Sequence, residues 1–193
     1  GTARGLGLAR QGVGVCLWSA FPEQTEELNS SRENKRFLPG VELPETMSFS
    51  ADPTSAAEGA ELAINVVPTQ HVRAVAERFE DALSGTLPIV SATKGLEIAT
   101  FQRPLEILED VLGERPYCVL TGPSHAEEVA RGLPASIIAA STDPELAARV
   151  QATVGGDRLR VYTSDDPQGA ELAGALKNVI ALAAGAREGR EPG

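Results

Sequence analysis

Residues 87–95 read Leu-Pro-Ile-Val-Ser-Ala-Thr-Lys-Gly, an apolar run that passes directly into a polar turn. The run from residue 87 to residue 92 has the length and the branched aliphatic residues of a buried strand. Lys94 follows this strand at once, and Gly95 beside it leaves the backbone free to turn. The stretch therefore predicts a strand with the amine of Lys94 just beyond its carboxyl end.

The same alternation of apolar strand and amphipathic helix extends outward in both directions. The pattern predicts strands over 13–18, near 47, and over 62–67, 87–92, 117–120, 135–140 and 159–162. It predicts helices over 1–12, 22–32, 70–83, 105–112, 144–154 and 170–184. Such alternation is typical of parallel βαβ units with helices on both faces of a sheet. We therefore expect an α/β fold with a doubly wound, mostly parallel sheet.

Two polar stretches follow predicted strands and form the first candidate site. Ligands of open α/β sheets bind beyond the carboxyl ends of the strands. Residues 91–95 hold Lys94, and residues 121–124 read Thr-Gly-Pro-Ser before a further helix, whose free N–H groups suit a phosphate or carboxylate. Taken singly, Lys94 is also compatible with a surface charge and Gly122-Pro123-Ser124 with a simple turn. Two such stretches together favour a ligand site.

The helix predicted over 170–184 carries a second candidate site. It follows the acidic turn 164–167 (Ser-Asp-Asp-Pro), which is typical of a helix start. Its residues are mostly apolar, so we expect it to be buried on nearly all sides. Lys177 and Asn178 interrupt the apolar surface, and Gly174 leaves room beside Lys177. The helix alone supports two interpretations of Lys177 equally: a functional amine, and a lysine whose side chain reaches the surface.

Composition excludes several classes of protein. The 193 residues suffice for one domain, or one domain and the start of another. A formal charge of −10 argues against nucleic-acid or anionic-membrane binding, and no apolar run is long enough to span a bilayer. Cys16 and Cys118 each lie in an apolar strand-like run and are interpreted as reduced core residues of a cytosolic protein. No residues have the spacing of metal ligands, so no metal site is expected.

Three blocks resemble the signature sequences of the bacterial NAD(P)-dependent glycerol-3-phosphate dehydrogenase family. They are residues 91–97 (Ser-Ala-Thr-Lys-Gly-Leu-Glu), 120–130 (Leu-Thr-Gly-Pro-Ser-His-Ala-Glu-Glu-Val-Ala) and 171–185, in the family's order. The loop over 32–40 and residues 67–70 (Val-Pro-Thr-Gln) also match. The resemblance covers essentially the whole chain.

The resemblance implies roles for individual residues. Lys177 resembles the lysine that gives and takes the proton at the carbon receiving the hydride, and Lys94 resembles a second active-site lysine that contacts substrate and cofactor. Gly122 and Ser124 resemble contacts to the substrate phosphate or hydroxyl groups. Asn178 either orients Lys177 or the substrate or makes a local hydrogen bond. The implied cofactor contacts are Gly1, Phe37, Pro68, Lys94 and Ala126.

The resemblance also implies that the chain is a fragment. The family's first strand and the first two glycines of its Gly-x-Gly-x-x-Gly loop should precede Gly1, which matches only the last glycine. Residues 1–163 are then the NAD(P)-binding, Rossmann-like domain, and residues 164–193 are the start of a helical substrate domain. The loss of a central strand should leave two unpaired edges inside the sheet.

The implied reaction is hydride transfer between NAD(P)H and dihydroxyacetone phosphate to give sn-glycerol 3-phosphate for glycerophospholipid synthesis. The resemblance implies a cytoplasmic protein and is compatible with a homodimer. The choice between NAD and NADP stays open, because Ala20 stands where the family pattern has an arginine. Arg32, Lys35 and Arg36 lie nearby and are compatible either with contacts to the 2′-phosphate of NADP or with plain loop charges. Two alternatives also stay open: a catalytically inactive truncated piece, and another dehydrogenase of the β-hydroxyacid type.

Overall fold

The computed structural model describes residues 1–123 and 133–188, along which strands and helices alternate. The strands are β1 (Val15–Trp18), β2 (Met47–Ser50), β3 (Ala63–Asn65), β4 (Ile89–Ser91), β5 (Tyr117–Thr121), β6 (Ala135–Ala140) and β7 (Leu159–Ser164). The helices are α1 (Thr2–Ala9), α2 (Pro22–Ser31), α3 (Pro53–Ala57), α4 (Val72–Phe79), α5 (Pro104–Leu112), α6 (Pro144–Val154) and α7 (Pro167–Glu188). A 3₁₀ turn over Thr69–His71 leads into α4. No helix in the described ranges is long and apolar enough to cross a membrane.

The strands form two sheets. Strands β1 and β2 pair in parallel, and β3 to β7 form a five-stranded sheet in the order in which they occur along the chain. Neighbours in the larger sheet are parallel except β5 and β6, which are antiparallel. The predicted α/β fold with a mostly parallel sheet is confirmed.

Helices cover both faces of the larger sheet, because successive strand residues point to opposite sides. Val90 and Cys118 pack with α6 on one face. Ile89 and Val119 pack with α4 and α5 on the other face. Full burial of one such aliphatic side chain contributes about 1.5–3 kcal/mol, so both layers hold the sheet in place. A third cluster joins α1 and α2 to β1 and β2.

Two elements differ from the sequence-based expectation. The helix expected over 70–83 begins with the 3₁₀ turn, and its α-helical part ends at Phe79. Helix α3 lies where the sequence pattern predicts neither a strand nor a helix, and it begins after Asp52, whose carboxylate accepts a 2.7 Å hydrogen bond from the Ser55 backbone N–H. A short polar helix of this kind has no apolar periodicity that would reveal it in the sequence.

The two cysteines differ in their environments. Cys118 is buried in β5, and burial raises the pKa of its thiol to about 12. Cys16 is exposed, so the expectation that it lies in the core is wrong. Its neighbours Val15 and Leu17 take the inward positions of β1 against α1, and alternation along the strand turns Cys16 outward.

Candidate active site

The carboxyl ends of β3, β4 and β5 meet at one edge of the larger sheet. Asn65, the last residue of β3, pairs with Ser91, the last residue of β4, and Ser91 pairs with Val119 near the end of β5. Parallel strands end at the same edge, so the turns that follow them lie side by side. Those turns contain the candidate residues Pro68, Lys94 and Gly122.

Hydrogen bonds hold the turn that carries Lys94 against the turn that follows β3. The Thr69 hydroxyl donates to the Lys94 carbonyl oxygen at 2.7 Å, and the Thr93 hydroxyl donates to the Val67 carbonyl oxygen at 2.7 Å. Gly95 has φ +110°, and a Cβ atom there would lie 3.3 Å from Thr69 Oγ1. The glycine therefore permits a turn that a residue with a side chain would strain.

The ammonium group of Lys94 is held in a partly buried position. Its Nζ atom donates a 2.8 Å hydrogen bond to the Gly122 carbonyl oxygen. Burial lowers the pKa of Lys94 from its ordinary value, and the positive charges of Lys177 and Arg4 lower it further. Three cationic side chains from α1, α7 and the turn after β4 therefore act on the same small region.

Gly122 directly follows β5 and lies against β6. Its φ is +149°, and a Cβ atom would lie 2.8 Å from Ile137 Cα and 2.9 Å from the Ser136 carbonyl oxygen. A side chain at this position would require the two strands to move apart. The Gly122 carbonyl oxygen is therefore fixed in the position where it accepts the hydrogen bond from the Lys94 ammonium group.

Helix α7 contacts this edge through Gly174. A Cβ atom on residue 174 would lie 2.8 Å from Thr121 Oγ1 and 3.7 Å from Lys94 Cγ. Lys177 follows one turn later in the helix. The structure thus brings together Lys94, Gly122 and Lys177, three of the candidates that lie far apart in the sequence.

The expectation that α7 is buried on nearly all sides is wrong. Lys177 is exposed. Several apolar side chains of α7 are also exposed, among them Leu172, Leu176, Val179, Ile180 and Leu182. Helix α7 packs on β5 and β6 on its Glu171 and Gly174 side, and its composition does not reveal which side that is.

The candidate cofactor residues Gly1 and Phe37 lie near the start of α1. A Cβ atom on Gly1 would lie 3.6 Å from Leu17 of β1 and 3.6 Å from Val66, which follows β3. Asn34 donates a 2.8 Å hydrogen bond from Nδ2 to Thr2 Oγ1, and its Oδ1 accepts one from the Phe37 backbone N–H at 3.1 Å. This side chain links the loop of Phe37 to the first turn of α1. The Phe37 ring is 58% exposed.

The remaining candidates are placed less fully. Pro68 is exposed between β3 and the 3₁₀ turn. Ser124 and Ala126 lie outside the described residues, and so does the side chain of Asn178, whose backbone belongs to α7.

Arg32 has a structural environment that differs from the 2′-phosphate role considered for it. Its guanidinium group donates to the backbone carbonyl oxygens of Pro44 and Met47, the latter at 2.9 Å, and lies 5.2 Å from the centre of the Phe49 ring. These contacts tie the end of α2 to β2. Lys35 and Arg36 are exposed on the following loop.

Two residues of the site region escaped sequence analysis. Glu171 is buried at the start of α7 and pairs with Arg103 at 2.9 Å. The signal that could have found Glu171 is an acidic residue inside an otherwise apolar helix, since buried carboxylates require partners. No pattern in the sequence indicates that Arg103 is the partner of Glu171.

Comparison with known proteins identifies the family. The protein-family model described as the N-terminus of NAD-dependent glycerol-3-phosphate dehydrogenase matches residues 1–147 of this chain. The glycerol-3-phosphate dehydrogenase [NAD(P)+] of Thermus thermophilus is 46% identical over an alignment of 194 positions, which covers 98% of this chain and 58% of that protein. The corresponding protein of Syntrophomonas wolfei is 42% identical over 192 residues, covering 98% of this chain and 56% of its own length.

A solved structure supports the same assignment. The crystal structure of glycerol-3-phosphate dehydrogenase from Coxiella burnetii superimposes with a TM-score of 0.90 at 34% identity, over 97% of this chain and 57% of that one. The chain spans somewhat more than half the length of the relatives it matches. The family model covers most of the chain, and the relatives match nearly all of it. The chain therefore belongs to the NAD-dependent glycerol-3-phosphate dehydrogenase family.

Proposed function

We propose that the chain serves in hydride transfer between NAD(P)H and dihydroxyacetone phosphate, which gives sn-glycerol 3-phosphate. One observation carries the proposal. Lys94 is fixed to the Gly122 carbonyl oxygen at the carboxyl edge of the sheet, within the electrostatic reach of Lys177. Membership of the family and the names of the relatives agree with this reaction.

The two lysines supply the chemistry that carbonyl reduction requires. The nicotinamide, when bound, supplies the hydride to the carbonyl carbon. Negative charge then develops on the carbonyl oxygen, and an ammonium group stabilises this charge and donates the proton. We assign the proton transfer to Lys177 and a contact with substrate and cofactor to Lys94. Each ammonium repels the other, so an anionic phosphate substrate between them would relieve that repulsion.

Substrate contacts extend along the turn after β5 and along α7. We assign a contact with the phosphate or a hydroxyl group to Gly122, because its carbonyl oxygen lies beside the Lys94 ammonium group at the carboxyl edge of the sheet. We assign further substrate contacts to Ser124 and Asn178, which rest on the resemblance of residues 120–130 and 171–185 to the family's blocks. The proposal needs no metal ion.

The cofactor, NAD or NADP, would bind across the start of α1. Among the described residues, the atoms nearest the Cβ position of Gly1 are side-chain carbons of Leu17 and Val66 at 3.6 Å, and the free N–H groups of this helix N-terminus suit a pyrophosphate. The hydrogen bonds of Asn34 hold the Phe37 loop at the same place. We assign cofactor contacts to Gly1, Phe37, Pro68, Lys94 and Ala126.

The wider organisation belongs to the same proposal. Residues 1–163 would form the NAD(P)-binding domain, and residues 164–193 would begin a helical substrate domain. The exposed apolar side chains of α7 support this boundary, since such a surface suits further helices. On the basis of the family resemblance, we also assign the protein to the cytoplasm and expect it to form a homodimer. Its product would feed glycerophospholipid synthesis.

The deciding experiment follows NADH and NADPH oxidation with dihydroxyacetone phosphate. It compares this chain with a version extended to the length of the relatives. Oxidation by the extended version supports the proposal, and the ratio of the two rates identifies the preferred cofactor. If the extended version folds and binds NADH but does not oxidise it with this substrate, the proposal is wrong. Trials with β-hydroxyacids would then test the remaining dehydrogenase alternative.

A further inference from the structure

Glu171 is a buried acidic residue on the side of α7 that faces the body of the fold. Its side chain is 1% exposed. Its Oε2 atom accepts a 2.9 Å hydrogen bond from Arg103 Nη1, and its Oε1 atom accepts a 3.0 Å hydrogen bond from the Leu105 backbone N–H. Both donors belong to the start of α5. A single carboxylate therefore ties α7 to α5.

The contacts of Glu171 explain how a carboxylate is accommodated there. Burial raises the pKa of Glu171 and the charge of Glu106 adds to this, whereas the Leu105 N–H and the Arg103 guanidinium oppose it. The first turn of a helix has free N–H groups and favours negative charge. Loss of Arg103 would leave a buried carboxylate without its counter-ion, which is strongly destabilising. The position of Glu171 relative to α5 is therefore tightly specified.

The anchored end of α7 controls the position of the lysine further along the helix. Gly174, one turn after Glu171, lies against Thr121 and the side-chain stem of Lys94. Lys177, one turn further, places its charge where it lowers the pKa of Lys94. A helix rises about 1.5 Å per residue, so an anchor at residue 171 fixes Lys177 about 9 Å further along the axis.

We propose that Glu171 is a positioning residue, whose bonds to Arg103 and Leu105 set the rotation and height of α7 and so hold Lys177 beside Lys94. Its consequence for catalysis rests on the proposed function. Its structural part does not, because the proximity of the two lysines is measurable without substrate or cofactor.

The test is the titration of Lys94 in this chain, followed by NMR with ¹³C-labelled lysine. The lysines are Lys35, Lys94 and Lys177, and Lys35 serves as an internal reference. Glu171→Gln keeps an acceptor for the Leu105 N–H and removes the charge that faces Arg103. We expect it to raise the pKa of Lys94, as Lys177→Ala does, because Lys177 moves away while the contribution of Arg4 persists. The double variant should show no further rise.

Glu106→Gln is the matched control. Glu106 also pairs with Arg103, at 2.8 Å, but it lies within α5 and is not bonded to α7 in the described structure. We expect this variant to leave the Lys94 titration unchanged. An unchanged titration in Glu171→Gln, or an equal rise in Glu106→Gln, overturns the proposal. If Glu171→Gln does not fold, Arg103→Gln, which keeps the Leu105 bond, carries the same test with the same two outcomes.

The kinetic arm uses the protein extended to the length of the relatives. We expect Glu171→Gln to lower kcat for dihydroxyacetone phosphate reduction by about 100-fold with little change in the KM for NADH, because a small misplacement of a reacting group has this order of effect. An unchanged kcat overturns the catalytic part. If the unsubstituted extended protein is inactive, the proposed function fails, and the Lys94 titration still decides the positioning role.

Discussion

Gly174 of α7 lies against Thr121 at the end of β5, so that a Cβ atom on residue 174 would come within 2.8 Å of Thr121 Oγ1. Thr121 is buried and β-branched, and its hydroxyl moves only with a change of rotamer. We expect Gly174→Ala to lower the free energy of unfolding by about 1 kcal/mol. Overpacking costs about 2 kcal/mol, and alanine returns about 1 kcal/mol as the better helix former. Urea denaturation measures the difference.

Gly185 provides the matched control for this substitution. It lies in the same helix, and among the described residues no atom outside its own stretch of helical backbone lies within 4 Å of its Cβ position. Gly185→Ala should therefore raise the free energy of unfolding by up to about 1 kcal/mol. Thr121→Ala combined with Gly174→Ala should recover most of the loss. Equal gains at both glycines would show that α7 does not approach β5 as closely as described.

Lys177 is the residue on which the proposed proton transfer depends. In the extended protein we expect Lys177→Ala to lower kcat with dihydroxyacetone phosphate by about 10²–10⁴-fold, because a positioned proton donor contributes that much. Cofactor binding, measured by NADH fluorescence, should change little. Lys177→Arg should also be strongly impaired, since a guanidinium keeps the charge but does not release its proton. Weakened NADH binding with an unchanged kcat would contradict the assigned role.

Removal of the Lys177 charge should also change the titration of Lys94. The pKa of Lys94 is lowered by burial and then by the charges of Lys177 and Arg4. In Lys177→Ala it should rise, so that Lys94 stays protonated to higher pH. The same ¹³C NMR titration measures this shift. An unchanged titration would place the two ammonium groups too far apart to share a substrate.

The strand pattern and the strand-end rule together predicted where Lys94 and Gly122 lie in the fold. Lys94 and Gly122 follow apolar runs directly, so their place at the carboxyl edge is a local property of the sequence. The environment of α7 could not be predicted in this way, because its apolar composition does not state which side packs. The partner of Glu171, Arg103, lies 68 residues away. Such a long-range pair depends on the packing of the tertiary structure.

Glu97 should contribute a pH-dependent part of the stability. Its carboxylate accepts hydrogen bonds from Arg73 at 3.1 Å and from the Thr100 hydroxyl at 2.6 Å, and these lower its pKa below the ordinary value. A carboxyl group with a lowered folded pKa stabilises the protein above its unfolded pKa, and this stabilisation disappears as pH falls through the folded pKa. Glu97→Gln should therefore be less stable than the parent at pH 7, with a difference that shrinks below about pH 4.

Asp110→Asn is the comparison for Glu97→Gln. Asp110 also pairs with Arg73, at 3.6 Å, but its side chain is 48% exposed. An exposed pair of this kind contributes between about 0 and 1 kcal/mol, so the substitution should have little effect at any pH. Denaturant unfolding of both variants between pH 3 and pH 8 measures these differences. A Glu97→Gln difference that is constant across this range would contradict the described ion pair.

Arg32 should contribute to stability and not to the choice between NAD and NADP. Its guanidinium is bonded to the carbonyl oxygens of Pro44 and Met47 and lies over Phe49. We expect Arg32→Ala to lower the free energy of unfolding by about 1–3 kcal/mol, because two partly buried carbonyl oxygens lose a charged hydrogen-bond donor. Arg36→Ala, on the exposed loop, should change it by less than about 0.5 kcal/mol. In the extended protein, the ratio of NADPH to NADH oxidation should be the same in Arg32→Ala as in the parent. A large fall in that ratio with unchanged stability would show that the Arg32 guanidinium leaves these carbonyl oxygens to bind a 2′-phosphate.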